Sequence, residues 1–229
     1  MRNSLDLCLD HWTTVSLPRH TSAKLDSVDL GSPLSDVVPG ARGQVLASLA
    51  DLQEPVTVRA LARAAVVAPQ TALSVVNELA GAGLVRVQRA GQAQLVSLNR
   101  THVLAQPLIA LARTRDRLTE MLRAELAGWA GLAGAWLFGP AAGPGGDRGS
   151  AIDLLLVAST STELPAWGEA TGRLVSQVQS WTGNRVQLVE HSRGSFALLI
   201  RGANPLVATI RAEGIPLTPG CQSLLRIPG

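Results

Sequence analysis

The sequence predicts an α+β fold in two structured regions, and three observations carry that prediction. Between Ala41 and Leu98, three stretches with helical spacing of apolar residues lead into two short strand-like stretches around Ala90-Gly91. From Leu104 to Leu126, one apolar stripe recurs every three or four residues. After Gly134, strand-like runs alternate with helical ones, the order of an α/β domain with a mixed sheet. The chain is thereby divided into an arm (1–40), a helical domain with a hairpin (41–103), a linking helix (104–128) and an α/β domain (129–229).

Each element has its own signal. The arm is rich in Ser, Thr and Asp, with a short strand expected at Leu5–Leu9. Val45, Leu46, Leu49 and Leu52 mark the first helix, and Gln53-Glu54-Pro55 ends it. Thr57 suits the N-cap of a short helix that contains Leu61. Pro69 suits the first turn of the next helix, about Gln70 to Ala80, with Leu73, Val76 and Leu79 inward and Gly81 or Gly83 stopping it. Val85 and Val87 alternate with Arg86 and Gln88, and Leu95–Leu98 returns as a second strand. In the linking helix, Leu104, Leu108, Leu111, Leu118, Met121, Leu122 and Leu126 form the stripe, which can link two domains, pair with its copy in a homodimer, or do both. Beyond it come strands at Ala135–Phe138, Ile152–Val157 and Arg185–Glu190. A helix at about Leu164–Trp181, an apolar stretch at Ser195–Ile200 and a last helix at Pro205–Glu213 complete the chain.

Composition narrows the function. Cys8 and Cys221 stand far apart, with no disulfide framework or zinc spacing, so a reducing, cytoplasmic setting is expected. MRNSLDLCLDHW has acids where a signal peptide has an apolar core. The uncharged run 126–146 is broken by seven Gly and two Pro, which argues against a membrane span. Residues 41–128 hold ten basic and six acidic side chains, a net of +4, against −2 before them and +1 after. A nucleic-acid surface is therefore to be sought in the middle of the chain. His11, His20, His102 and His191 are scattered, with no metal-ligand spacing, and no G-x-S-x-G elbow occurs. Trp129, Trp136, Trp167 and Trp181 are expected to fill the core.

Three helices followed by a hairpin, with LARAAVVAPQTALSVVNELAGAGLVRV running through them, resemble a bacterial winged helix-turn-helix repressor over about residues 41–100. NELAGAGLVRV is the most telling piece. The resemblance implies that the helix from Gln70 enters the major groove of double-stranded DNA. Gln70, Thr71, Ser74 and Asn77 are then the candidates for base edges. Arg59 and Arg63 before that helix, and Arg86 and Arg89 in the wing, are candidate phosphate anchors.

The second region, about residues 130–217, resembles the nucleotidyltransferase superfamily, in particular its minimal, polymerase-β-like type. Such enzymes carry a Gly-Ser turn, an Asp-x-Asp pair and a third acid on a later strand, which together hold two Mg²⁺ ions. Here Leu137-Phe138-Gly139-Pro140 puts Pro140 at the Ser, Ser150-Ala151-Ile152-Asp153-Leu154 puts Ala151 at the first acid, and Gln187 stands at the third. Asp153 is the remnant acid; Asp147 and Glu190 are neighbours in sequence. One carboxylate and an amide offer Mg²⁺ too little charge, so no metal, cofactor or nucleotide transfer is expected. The glycine-rich loop, with Gly139, Gly143, Gly145, Gly146 and Arg148, remains a candidate for weak anion or nucleotide binding.

The sequence thus predicts a DNA-binding transcriptional regulator, homodimeric, whose degenerate second domain is a scaffold or a sensor for a small-molecule or nucleotide effector. Its alternatives are an active metal-dependent nucleotidyltransferase acting on nucleic acid or protein, and an antitoxin-like protein-interaction module.

Overall fold

The computed structural model describes residues 27–226 apart from 92, 144 and 160–163. The strand expected at Leu5–Leu9, together with Cys8, His11 and His20, lies outside the described residues. The chain is mixed α and β, and it divides into two compact units. One is Asp29–Arg117; the other is Leu118–Gly229 with Ser27 and Val28.

The first unit begins earlier than the 41 expected. Asp29 Oδ1 accepts the amides of Gly31 and Ser32 at 3.0 and 2.9 Å, and the Asp29 amide donates to Asp36 Oδ2 at 2.7 Å. This local knot precedes α1 (Pro33–Val37) and sets Leu30 and Leu34 into the interior. Residues 29–40 are thus part of a core and not of an arm; polar side chains that bond their own backbone hide two Leu among Ser and Asp. α2 (Ala41–Asp51) buries Val45, Leu46 and Leu49 as its spacing predicts.

A two-residue strand, β1 (Val56–Thr57), then leads directly into α3 (Val58–Ala64), with Thr57 Oγ1 accepting the Ala60 amide at 3.2 Å as the expected N-cap. After α3, Val66 has φ +53°, and the Val67 amide closes back on the Ala62 carbonyl at 3.0 Å. α4 (Pro69–Gly81) buries Ala72, Val75, Val76 and Leu79. The expected inward trio is corrected at one place: Leu73 is only half-buried, because Ala72 and Val75 face the core instead. β2 (Val85–Ala90) and β3 (Ala93–Leu98) form the expected antiparallel hairpin. Gly91, φ +60°, stands in its turn. β1 adds to the far side of β3, Val56 opposite Val96, giving the order β1-β3-β2. Two residues leave no periodicity, so β1 was invisible in the sequence.

The single linking helix over 104–128 is corrected to two. α5 (Ala105–Ala112) ends at Arg113, whose φ and ψ of −92° and 23° leave the helical region, and α6 (Thr114–Leu126) restarts there. The Thr114 hydroxyl donates to the Leu111 carbonyl at 2.6 Å, which caps the break. Leu118, Leu122 and Leu126 are 3%, 0% and 2% exposed within the one chain, so that part of the stripe is not left for a second copy.

The second unit is a four-stranded mixed sheet of order β6-β5-β4-β7. β4 (Leu132–Phe138) and β5 (Ile152–Ala158) are antiparallel, β5 and β6 (Val186–Ser192) are parallel, and β7 (Ile215–Pro216) pairs antiparallel with β4. The parallel pair needs a crossover, supplied by α7 (Leu164–Thr182), which buries Trp167, Thr171, Leu174, Val175 and Val178 at helical spacing. The apolar stretch after β6 is a helix, α8 (Arg193–Arg201), capped by Ser192, whose Oγ accepts the Ser195 amide at 3.1 Å. α9 (Pro205–Glu213) matches its sequence bounds, with Asn204 as cap. Trp136, Leu155, Val157, Phe196, Ile200, Val207 and Ile210 pack together on one face of the sheet. Trp136 and Trp167 are core residues as expected, but Trp129 and Trp181 are only half-buried.

Candidate functional site

In the first unit, the residues of interest lie on α4, α3 and the hairpin. At about 100° per residue, Gln70, Thr71, Ser74 and Asn77 share one arc of α4, opposite its buried face. All four are exposed. Glu78 falls within the same arc and lies 3.9 Å from Arg42, an exposed pair of little energetic weight. Arg59 and Arg63 are exposed and one turn apart on α3.

The hairpin separates its two arginines. Only Val85 of β2 is buried; every residue from Arg86 to Ala90 is exposed, so the tip stands away from its core. Strand side chains alternate, so Arg86 and Arg89 point to opposite faces. Arg86 Nη2 donates to the Thr101 hydroxyl at 3.0 Å, which turns that guanidinium back toward the body. Arg89, opposite Gln94, is the cation at the tip.

In the second unit, register tests the site expected from sequence. Phe138 pairs with Asp153, and Asp153 with Gln187, so Gly139, Asp153 and Gln187 do meet at one sheet end. Asp153 is the one polar residue of β5, whose other residues are all buried and apolar. Partial burial raises its carboxyl above the usual carboxylate range, against the opposing pull of the Arg185 charge. Gly139 has φ +70°, and a Cβ there would collide with Asp153 Oδ2. The backbone therefore favours glycine, and a Cβ would also have to displace the Asp153 carboxylate.

Neither sequence neighbour completes an acid pair. Glu190 pairs with Leu156, three residues along from Asp153, which is about 10 Å of strand and the opposite face. There Glu190 Oε1 accepts the Trp167 indole N–H at 2.5 Å, while burial raises its carboxyl. Asp147 is engaged within its own loop. Its Oδ1 accepts the Ser150 hydroxyl at 2.8 Å and the Gly149 amide at 2.9 Å, and these bonds, the Ser150 one foremost, hold its carboxyl below the usual range. Among the described residues no three His, Cys, Asp or Glu side chains are grouped to hold a metal ion. The residues present do not fit a two-Mg²⁺ centre.

The glycine-rich loop, a candidate for weak anion or nucleotide binding, is partly closed on itself. Pro140–Ala142 forms a 3-10 turn with Ala141 and Ala142 buried. The amides of Ala142 and Gly143 donate to Gly139 and Pro140 carbonyls at 3.0 and 3.2 Å, and the Ser150 amide donates to Asp147 at 3.1 Å. Gly139 alone among the glycines named there has positive φ, and Gly146 is buried. The Ser27 hydroxyl donates to the Arg148 carbonyl. These amides are committed internally, so an anion finds few of them.

Sequence reasoning missed a cleft of about 740 Å³ beside the end of α6, the start of β4 and residues 216–222. Its residues follow no motif, and Trp129 was the available signal.

No family model and no curated protein matches the chain. Among solved structures, human N-acetylserotonin methyltransferase in complex with SAM is similar over 43% of this chain and 32% of its own, at 19% identity and a TM-score of 0.26. This chain thus spans about a third of that protein, and so low a score carries no argument about fold or function. No helix among the described residues is long and apolar enough to cross a membrane.

Proposed function

We propose that the chain is a sequence-specific double-stranded DNA-binding regulator. Its α1–α5 unit is a winged helix-turn-helix, and its second unit is an inactive nucleotidyltransferase-like domain that serves as scaffold or ligand sensor. One observation supports the DNA reading: the outward arc of α4 is polar and exposed at Gln70, Thr71, Ser74 and Asn77, in a unit that also exposes Arg59 and Arg63 on α3 and Arg89 at the hairpin tip. Gln and Asn amides can pair bidentately with adenine, and the hydroxyls can meet base edges or phosphates. Arg59, Arg63 and Arg89 supply charge that fixes register on the backbone without reading sequence.

Inactivity is supported by chemistry. Asp153 has an amide, Gln187, as its strand partner, and Glu190 is on the opposite face. A divalent ion with one carboxylate would keep most of its water and bind weakly.

The test is duplex binding across a salt series, with DNA from upstream of the protein's own gene and a scrambled control. Wild type should prefer the former and weaken steeply with salt. Arg59→Ala with Arg89→Ala should lower the slope of log K against log salt by about 2, on both DNAs alike. Gln70→Ala with Asn77→Ala should instead narrow the preference by about 1–3 kcal/mol per lost base contact. Absence of duplex binding at low salt would sink the reading.

A further inference from the structure

We propose that the cleft between the end of α6, the start of β4 and the 216–222 segment binds a small organic anion with an aromatic body, an aryl carboxylate in its simplest form. As the effector site of a regulator this rests on the DNA-binding reading; the binding itself does not.

The aromatic part follows from a wall that is already built. Trp129 lines the cleft and stacks on Trp167, ring centroids 5.3 Å apart and planes at 23°. Trp167 is in turn fixed by its indole N–H to Glu190. A ring held in this way loses little freedom when a planar ligand packs against it. Buried Leu126 and Leu217 make the floor, and Leu132 contributes to a side, so most of the lining is apolar. The volume falls in the range that takes a small ligand, about 300–1,000 Å³.

The charge follows from Arg123. Among the described residues that line the cleft it is the only ionic side chain, and none of them is Asp or Glu. Its Nε and Nη2 both donate to the Pro216 carbonyl, at 3.2 and 3.0 Å, which fixes the guanidinium plane. Nη1 remains as a charged donor at the rim. The Gln222 amide, exposed on the same cleft, adds neutral hydrogen-bonding capacity. A cation would meet like charge without a carboxylate to offset it.

Calorimetric titration of the full chain, without DNA, tests this with naphthalene-2-carboxylate, its neutral carboxamide and 2-naphthylmethylammonium. The carboxylate should bind in the micromolar to millimolar range and raise the melting temperature, with the carboxamide weaker by about tenfold and the ammonium weaker still. Gln222→Glu, a change at an exposed residue, should cost the carboxylate about tenfold and the carboxamide far less. Arg123→Gln should equalise the two probes. No heat and no thermal shift with the carboxylate at about 5 mM, equal affinity for all three probes, or carboxylate binding indifferent to Gln222→Glu would each overturn the proposal. Because DNA is absent, a failure here leaves the regulator reading standing, and the converse also holds.

Discussion

Val66 shows what a single residue can reveal. It is β-branched, 84% exposed, and holds φ +53° at the end of α3, a position that glycine usually fills. Relief of that strain outweighs the extra freedom glycine gives the unfolded chain, so Val66→Gly should raise stability by about 0.5–1 kcal/mol in urea melts. Gly139 is the opposite case. Gly139→Ala should cost about 1–3 kcal/mol, chiefly from positive φ, with a smaller share from displacing the Asp153 carboxylate. Adding Asp153→Ala should recover the collision and leave the backbone share, which a double-mutant cycle measures. Asp153 and Glu190 both have folded values above their unfolded ones. The stability this represents is fully present below the unfolded pKa, about 4, and is lost as pH rises through the folded values. Asp153→Asn should therefore remove the Asp153 share of the pH dependence between the unfolded and folded values, leaving that of Glu190, and be at least as stable as wild type at neutral pH. Millimolar Mg²⁺ should shift the melting of both proteins alike; stabilisation of wild type alone would restore a metal site.

At the level of elements, α3 depends on its start. Thr57 is at once the end of β1 and the N-cap, so Thr57→Ala should destabilise the first unit by about 1 kcal/mol, read by chemical denaturation. Thr57→Ser, which keeps the acceptor, should restore most of it. The helix and strand succession, from the cap at Thr57 to the alternation of Val85 and Val87, was legible because each signal is local. The break at Arg113 was not, since TRDR scores as helix and the interruption is a φ/ψ choice with no Gly or Pro to announce it. Nor was the inward face of α4, where Ala72 and Val75 displace Leu73: a stripe of Leu and Val allows more than one rotation, and packing selects among them.

For the whole molecule, Asn184 is a tertiary clasp. It is 2% exposed, its Oδ1 accepts the Val28 amide at 3.1 Å, and its Nδ2 donates to the Val28 and Ser150 carbonyls, each at 3.1 Å. Val28, 156 positions away in sequence, is tied to the second unit by this side chain and by its own amide on the Thr182 carbonyl at 3.1 Å. Asn184→Ala removes these three hydrogen bonds and leaves the part-buried Val28 and Ser150 carbonyls without this donor, so it should cost about 1–3 kcal/mol in chemical denaturation. The sequence around Asn184, TGNRV, carries no sign of this, because the partner is remote.

The candidate site divides in the same way. Residue identity and helical period alone established that the second region has Ala151 and Gln187 where its resemblance expects acids, and that one side of α4 carries Gln, Thr, Ser and Asn. Only the tertiary structure decided that Glu190 lies on the opposite face of the sheet from Asp153, that Arg86 is drawn back by Thr101, and that the Ala142, Gly143 and Ser150 amides are bonded within the glycine loop. It alone assembled Arg123, Trp129 and residues 216–222 into a cleft. The physical reason is range: propensities, caps and charge are properties of neighbouring residues, whereas register, face and concavity depend on which distant segments the hydrophobic core brings together.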